Sequence, residues 1–120
     1  MNIERVNSEL KKKITEILHN EIKDPRFNNL GIITVMGVST TKDLDVCRVY
    51  LSFYDSEVSG KDAIAIVQTA SGFIKKLLYT KLKIRKVPNL IFILDESLEY
   101  ASHIDVLLEQ TNINATKKDD

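Results

Sequence analysis

The residues best placed to do chemistry in this chain are cations set beside a glycine. Gly72 stands inside the longest helical pattern, within Thr69-Ala70-Ser71-Gly72-Phe73, and Lys75 and Lys76 follow it. A glycine in a helix interior costs about 1 kcal/mol relative to alanine, so it asks for a bend or for close approach by another backbone. With the helix restarting at Gly72, a spacing of 100° per residue gathers Gly72, Lys75, Lys76, Tyr79 and Lys83 on one face. Ile74, Leu77, Leu78 and Leu82 fall on the other. A bare stretch of backbone ringed by ammonium groups is chemistry for binding phosphate, and the N–H groups freed at a helix restart attract anions as well. The competing explanation is plain packing: helix glycines often mark a tight neighbour, and lysine stripes are usually solvated faces.

The charge distribution decides between the two. From Ala63 to Leu94 there is no Asp or Glu, while Lys75, Lys76, Lys81, Lys83, Arg85 and Lys86 supply six positive charges. From Asp95 onward seven acids face only Lys117 and Lys118, so a formal net charge of zero conceals a basic middle. A segregated basic face is the electrostatic footprint of a protein that tracks nucleic acid. The expected contacts are therefore Ala70, Ser71 and Gly72 at the bend, Lys75, Lys76 and Lys83 on phosphates, and Arg85 and Lys86 flanking them.

The elements that must position these groups follow from periodicity. A chain of 120 residues fits one domain, read here as residues 1–110 with a polar, flexible tail at 111–120. Ile3, Val6, Leu10, Ile14, Ile17, Leu18 and Ile22 predict an opening amphipathic helix. Asp24-Pro25 ends it, with Asp24 and Arg26 suited to orient the turn by hydrogen bonds. Residues 32–39 and 46–54 read as two strands, with Cys47, Val49, Leu51 and Phe53 alternating against Arg48, Tyr50, Ser52 and Tyr54. The polar residues around Thr40 to Asp43 close the pair as an antiparallel hairpin. Ser59 and Asp62 form a capping-box-like start for the central helix, which reads as two helices joined by a bend. Leu90 to Leu94 is an apolar run suited to a strand covered on both faces and paired inside the sheet. Leu98, Ala101, Ile104, Leu107 and Leu108 suggest a last helix.

The order α-β-β-α-α-β-α, with helices on one face of a three-stranded sheet, gives an α+β two-layer domain. A helix–bend–helix ending in bare backbone is also the working part of K-homology domains.

Other chemistry is poorly supported. His19 and His103 lack partners at metal-ligand spacing. Cys47 keeps step with the apolar face of its strand and reads as a small core residue. Asp43 and Asp45 are turn residues, and Gly31, Gly37 and Gly60 match no nucleotide-binding loop. Tyr50 and Tyr54 are stacking candidates on the polar face of the second strand. No catalytic residue, metal or cofactor is expected. No apolar run is long enough to span a bilayer, and the lone cysteine and the charged opening stretch suggest a cytoplasmic setting.

Several short stretches resemble the ribosome-binding factor A family of bacterial small-subunit assembly. These are Arg5, Asp24-Pro25-Arg26, Asp43-Leu44, Val49-Tyr50-Leu51-Ser52, Ala70-Ser71-Gly72, and Pro88, Phe92, Asp95 and Ser97, at matching intervals along nearly the whole chain. The resemblance implies a type II K-homology-like fold in which an Ala-x-Gly bend replaces the usual glycine loop. It implies a non-catalytic factor that binds immature small ribosomal subunits and their rRNA, supports late maturation and 5′-end processing, and matters most in the cold. A monomer, and release with the help of an assembly GTPase, are implied in the same way. The chain departs from the common family pattern at Lys75, where many members carry arginine, at Ala101, where many carry glycine, and in Thr40-Thr41-Lys42, which lengthens the hairpin. Lys75 offers a point charge in place of planar bidentate recognition. The alternatives are a K-homology-type module for another RNA, or a protein-interaction domain docking through a sheet edge or its last helix.

Overall fold

A computed structural model describes residues 2–97; the expected last helix from Leu98, His103 and the tail at 111–120 lie outside them. The first helix, α1 (Ile3–Asn20), starts at Asn2, whose Oδ1 accepts from the Arg5 N–H. It buries Val6, Leu10, Ile14, Ile17 and Leu18, the stripe expected from the three-and-four spacing. A 3-10 turn over Pro25–Asn29 follows, capped by Asp24. The strands are β1 (Ile32–Thr40), β2 (Val46–Tyr54) and β3 (Asn89–Leu94), with α2 (Gly60–Thr69) and α3 (Ser71–Lys81) between the last two.

The sheet order is β1-β2-β3, with β1 antiparallel and β3 parallel to β2. Alternate residues Ile33, Val35, Cys47, Val49, Leu51, Leu90 and Phe92 are buried. They point to the face on which α1, α2 and α3 pack, α1 chiefly on β1 and α2 on β3. Cys47 is fully buried among them, and burial pushes its thiol pKa up, so the structure treats it as a core hydrophobe. The opposite sheet face carries Ile32, Tyr54 and Ile91, all exposed.

The apolar run Leu90–Leu94 behaves differently from expectation. It is an edge strand, because β2 already pairs with β1 on its other side and the α2–α3 crossover delivers β3 to the free side of β2. Leu90 and Phe92 are buried, Ile93 and Leu94 are half-buried, and Ile91 remains 43% exposed on the open face.

Gly31, Leu44 and Asp55 have positive φ, and the first two are the informative ones. Gly31 has φ +70°, and a Cβ there would lie 2.0 Å from the Tyr54 carbonyl oxygen, so the entry to β1 admits only glycine. Leu44 adopts φ 60° in the hairpin while its side chain is buried, a conformation that costs a branched residue about 1–2 kcal/mol. Burial of its side chain and the hydrogen bonds of the turn offset that cost. Thr41 Oγ1 accepts from the N–H groups of Asp45 and Val46, and Asp43 Oδ1 accepts from the Thr41 hydroxyl and from Asp45 N–H. The Thr41 hydroxyl and the Asp45 N–H together hold the Asp43 carboxyl below its usual pKa.

Candidate nucleic-acid interface

The break between α2 and α3 falls at Ala70, the first residue of the bend expected over Ala70-Ser71-Gly72. Ala70 lies in the bridge region (φ −91°, ψ 2°), and its N–H turns back to the Val67 carbonyl at 2.9 Å. Helix resumes at once, with Ile74 N–H on the Ala70 carbonyl at 2.9 Å. Gly72 is thus in the first turn of α3. No side chain among the described residues caps this helix, so its first turn lacks the usual side-chain acceptor.

The glycine itself has no internal explanation. Its φ is not positive, and among the described residues a Cβ built on it meets nothing within 4 Å. Neither backbone conformation nor packing against the described residues requires glycine here, so among them the packing explanation weighed from the sequence has no support. Phe73 beside it is 48% exposed, and Tyr79 is 69% exposed further along α3. An exposed aromatic next to bare backbone and cations suits nucleobase stacking. Sequence pattern gives Phe73 no role, although its position beside the glycine is the available signal.

The bend is held from two sides. Arg26 forms an ion pair with Asp24 at 2.6 Å, and the same Nη2 donates to Thr69 Oγ1 at 3.0 Å, tying the turn after α1 to the last residue of α2. The hydrogen bonds from the Arg26 side chain and its backbone N–H hold the Asp24 carboxyl below its usual range. From the other side, Gln68 Nε2 donates to the Leu90 carbonyl at 3.0 Å, and its Oε1 accepts from Phe92 N–H at 2.9 Å. Sequence pattern gives no hint of this clamp, since a glutamine late in an amphipathic helix reads as surface.

The expected cations separate into groups. Ser71 opens α3 half-buried, and Lys75 and Lys76 sit in its first turns. Lys75 Nζ donates to Asn89 Oδ1 at 2.7 Å, reaching the first residue of β3. Lys76 is exposed and makes no ion pair among the described residues. Lys83 does not share their helical face, because α3 ends at Lys81 and Leu82 is already extended. It instead lines a cleft of about 440 Å³ with Asn2, Arg5, Val6, Glu9, Leu82 and Ile84. Arg5 from α1 thereby shares a cleft with Lys83, a placement that sequence distance conceals. Arg85 is exposed. Lys86 pairs with Asp45, whose hydrogen bond holds the ammonium pKa above its ordinary value. The flanking role expected of Lys86 is therefore partly taken up within the fold, pinning the hairpin to the entry of β3.

Among the described residues, no group of three or more His, Cys, Asp or Glu side chains is arranged to hold a metal ion. None of the described helices is long and apolar enough to cross a membrane.

Helix–break–helix packed with an N-terminal helix against a three-stranded mixed sheet is the α+β architecture of K-homology-like domains. The same fold appears in the crystal structure of ribosome-binding factor A from Thermus thermophilus, with a TM-score of 0.67 and 23% identity over 78% of this chain and 97% of that one. The family model for ribosome-binding factor A matches residues 2–108, and the chain belongs to that family. A Clostridium botulinum (strain Eklund 17B / Type B) ribosome-binding factor A is 42% identical over 107 residues, covering 88% of this chain and 90% of the relative. A Thermus thermophilus homology model of the factor, fitted into a cryo-EM map of a 30S complex, matches with a TM-score of 0.61 and 27% identity. That match covers 75% of this chain and 91% of the other.

Proposed function

We propose that this protein is a non-catalytic assembly factor that binds the immature small ribosomal subunit by contacting its rRNA through the first turn of α3. Gly72 admits the RNA backbone, Ala70 and Ser71 shape the break, and Lys75, Lys76, Lys83 and Arg85 neutralise phosphates, with Lys86 a lesser contributor. The single observation carrying the site is Gly72: exposed, free of internal steric demand, and set in an uncapped helix turn close to the exposed Lys76. Family membership and a relative fitted into a 30S complex support the ribosomal partner.

On this reading the factor binds one conformation of the maturing subunit better than others and so shifts its equilibrium, doing no bond chemistry itself. Late rRNA folding and 5′-end processing would then benefit indirectly, most of all in the cold, where misfolded RNA escapes slowly. Residues 1–110 act as one domain, the acidic stretch from Asp95 onward stays off the RNA, and the protein works as a cytoplasmic monomer released with the help of an assembly GTPase. Docking of a protein partner along β3 is disfavoured, because Gln68 occupies the outer edge of that strand. The test is competition: precursor and mature small-subunit rRNA should displace the labelled protein from immature subunits, and precursor rRNA should do so at lower concentration than an unrelated RNA of equal length. Equal displacement by the unrelated RNA would reduce the protein to a general RNA-binding module.

A further inference from the structure

The outer edge of β3 is sealed by one side chain. In the parallel ladder, Asn89 N–H bonds to the Asp45 carbonyl and Asp95 N–H to the Leu51 carbonyl, both at the two ends of the strand and both facing β2. Alternation along a strand then turns the N–H and C=O groups of Leu90 and Phe92 outward. The Gln68 carboxamide takes one group from each, the Leu90 carbonyl with its N–H and the Phe92 N–H with its oxygen. A donor beside an acceptor is also the pattern on the pairing edge of every nucleobase. An open strand edge offering that complementary pair would be able to hydrogen-bond bases as they pass.

RNA lying on the first turn of α3 would pass close by. Lys75, three residues from Gly72, already touches Asn89 at the start of β3. We infer that Gln68 is a specificity-determining residue that closes the β3 edge, so that RNA contact at this surface reads the phosphate backbone and not base identity. The inference rests on the RNA-contact reading above. It accounts for a feature that reading leaves unexplained: the strand edge nearest the basic surface is satisfied from within by a residue of the helix that precedes the break. A base-blind contact suits a factor that recognises the shape of a folded rRNA surface, where phosphates position and base edges specify.

The experiment compares wild type with Gln68→Ala and Gln68→Glu. Binding of single-stranded oligoadenylate, oligocytidylate and oligouridylate of equal length is measured by fluorescence anisotropy, and amide exchange at Phe92 by NMR. Wild type should bind the three with affinities within about twofold and protect the Phe92 amide. Gln68→Ala should expose that amide and acquire a preference of about tenfold among the oligonucleotides, the discrimination typical of one bidentate base contact. Gln68→Glu keeps the acceptor for Phe92 and loses the donor to Leu90, so it should protect the amide and gain less preference. Base discrimination by the wild type, or an exposed Phe92 amide with no new preference in Gln68→Ala, overturns the inference. Failure of all three proteins to bind any oligonucleotide, or a Phe92 amide still protected in Gln68→Ala, defeats this inference alone, whereas failure to bind immature small subunits as well defeats the RNA-contact reading on which it rests.

Discussion

Replacing Gly72 with alanine should make the protein more stable and a poorer binder. The stability half follows from the fold: the position is helical, its φ is not positive, and among the described residues a Cβ there meets nothing within 4 Å. Alanine then gains helix propensity worth about 0.5–1 kcal/mol, which for a domain of this size raises Tm by roughly 2–8 °C. The binding half follows from the proposed contact. A methyl group standing where a phosphate backbone must come close should weaken association at least about tenfold, or about 1.4 kcal/mol. Thermal unfolding followed by circular dichroism gives the first number, and titration of labelled protein with immature small subunits gives the second. A lowered Tm would show that the fold itself needs this glycine. An unchanged affinity would show that nothing approaches it, and the site would have to be moved elsewhere on the surface.

Other outcomes can be checked independently. Gly31→Ala should cost more than about 2 kcal/mol in urea unfolding, since left-handed backbone strain adds to a 2.0 Å clash with the Tyr54 carbonyl. Lys76→Ala should lower the slope of log affinity against log salt by about 0.7–0.9, the loss of one phosphate contact. Lys86→Ala should lower it less, because Asp45 already holds that ammonium. Asp24 has a depressed pKa in the folded state, so its contribution to stability is present above the ordinary carboxylate value of about 3.9 and is lost as pH falls below it. Asp24→Asn should therefore flatten part of the decline in urea midpoint on acidification from about pH 5 to pH 3. The Cys47 thiol should resist labelling by a thiol reagent in the native protein and react on unfolding, since burial raises its pKa.

The parts of this molecule legible in sequence are those that depend on local periodicity. The α1 stripe, the alternation that buries Cys47, Val49 and Leu51, and the Ser59 cap, whose Oγ accepts from Asp62 N–H at 3.1 Å, all follow from spacing or capping chemistry. What escapes depends on which elements meet. An apolar run such as Leu90–Leu94 has the same composition whether central or at an edge; chain order around β2 decides, and it leaves Ile91 in the open. Helical-wheel projection places Lys83 with Lys75 and Lys76, but the helix stops before it, and Lys83 lines a cleft with Arg5 from the other end of the sequence. Gln68 and Thr69 act through Leu90, Phe92 and Arg26, partners that lie twenty-two, twenty-four and forty-three residues away. Gly72 is the reverse case: its local cost is visible at once, and only the empty space around it separates ligand approach from packing.

The central claim is that the basic first turns of α3 bind small-subunit RNA, and co-sedimentation across a salt series tests it most directly. Wild type and the Lys75→Glu/Lys76→Glu double variant would each be spun with immature small subunits, mature small subunits and complete ribosomes. The account predicts preferential binding of wild type to immature small subunits, falling steeply with salt, and marked loss in the double variant with its thermal unfolding unchanged. Binding that ignores salt, or a double variant that co-sediments as well as wild type, would contradict it.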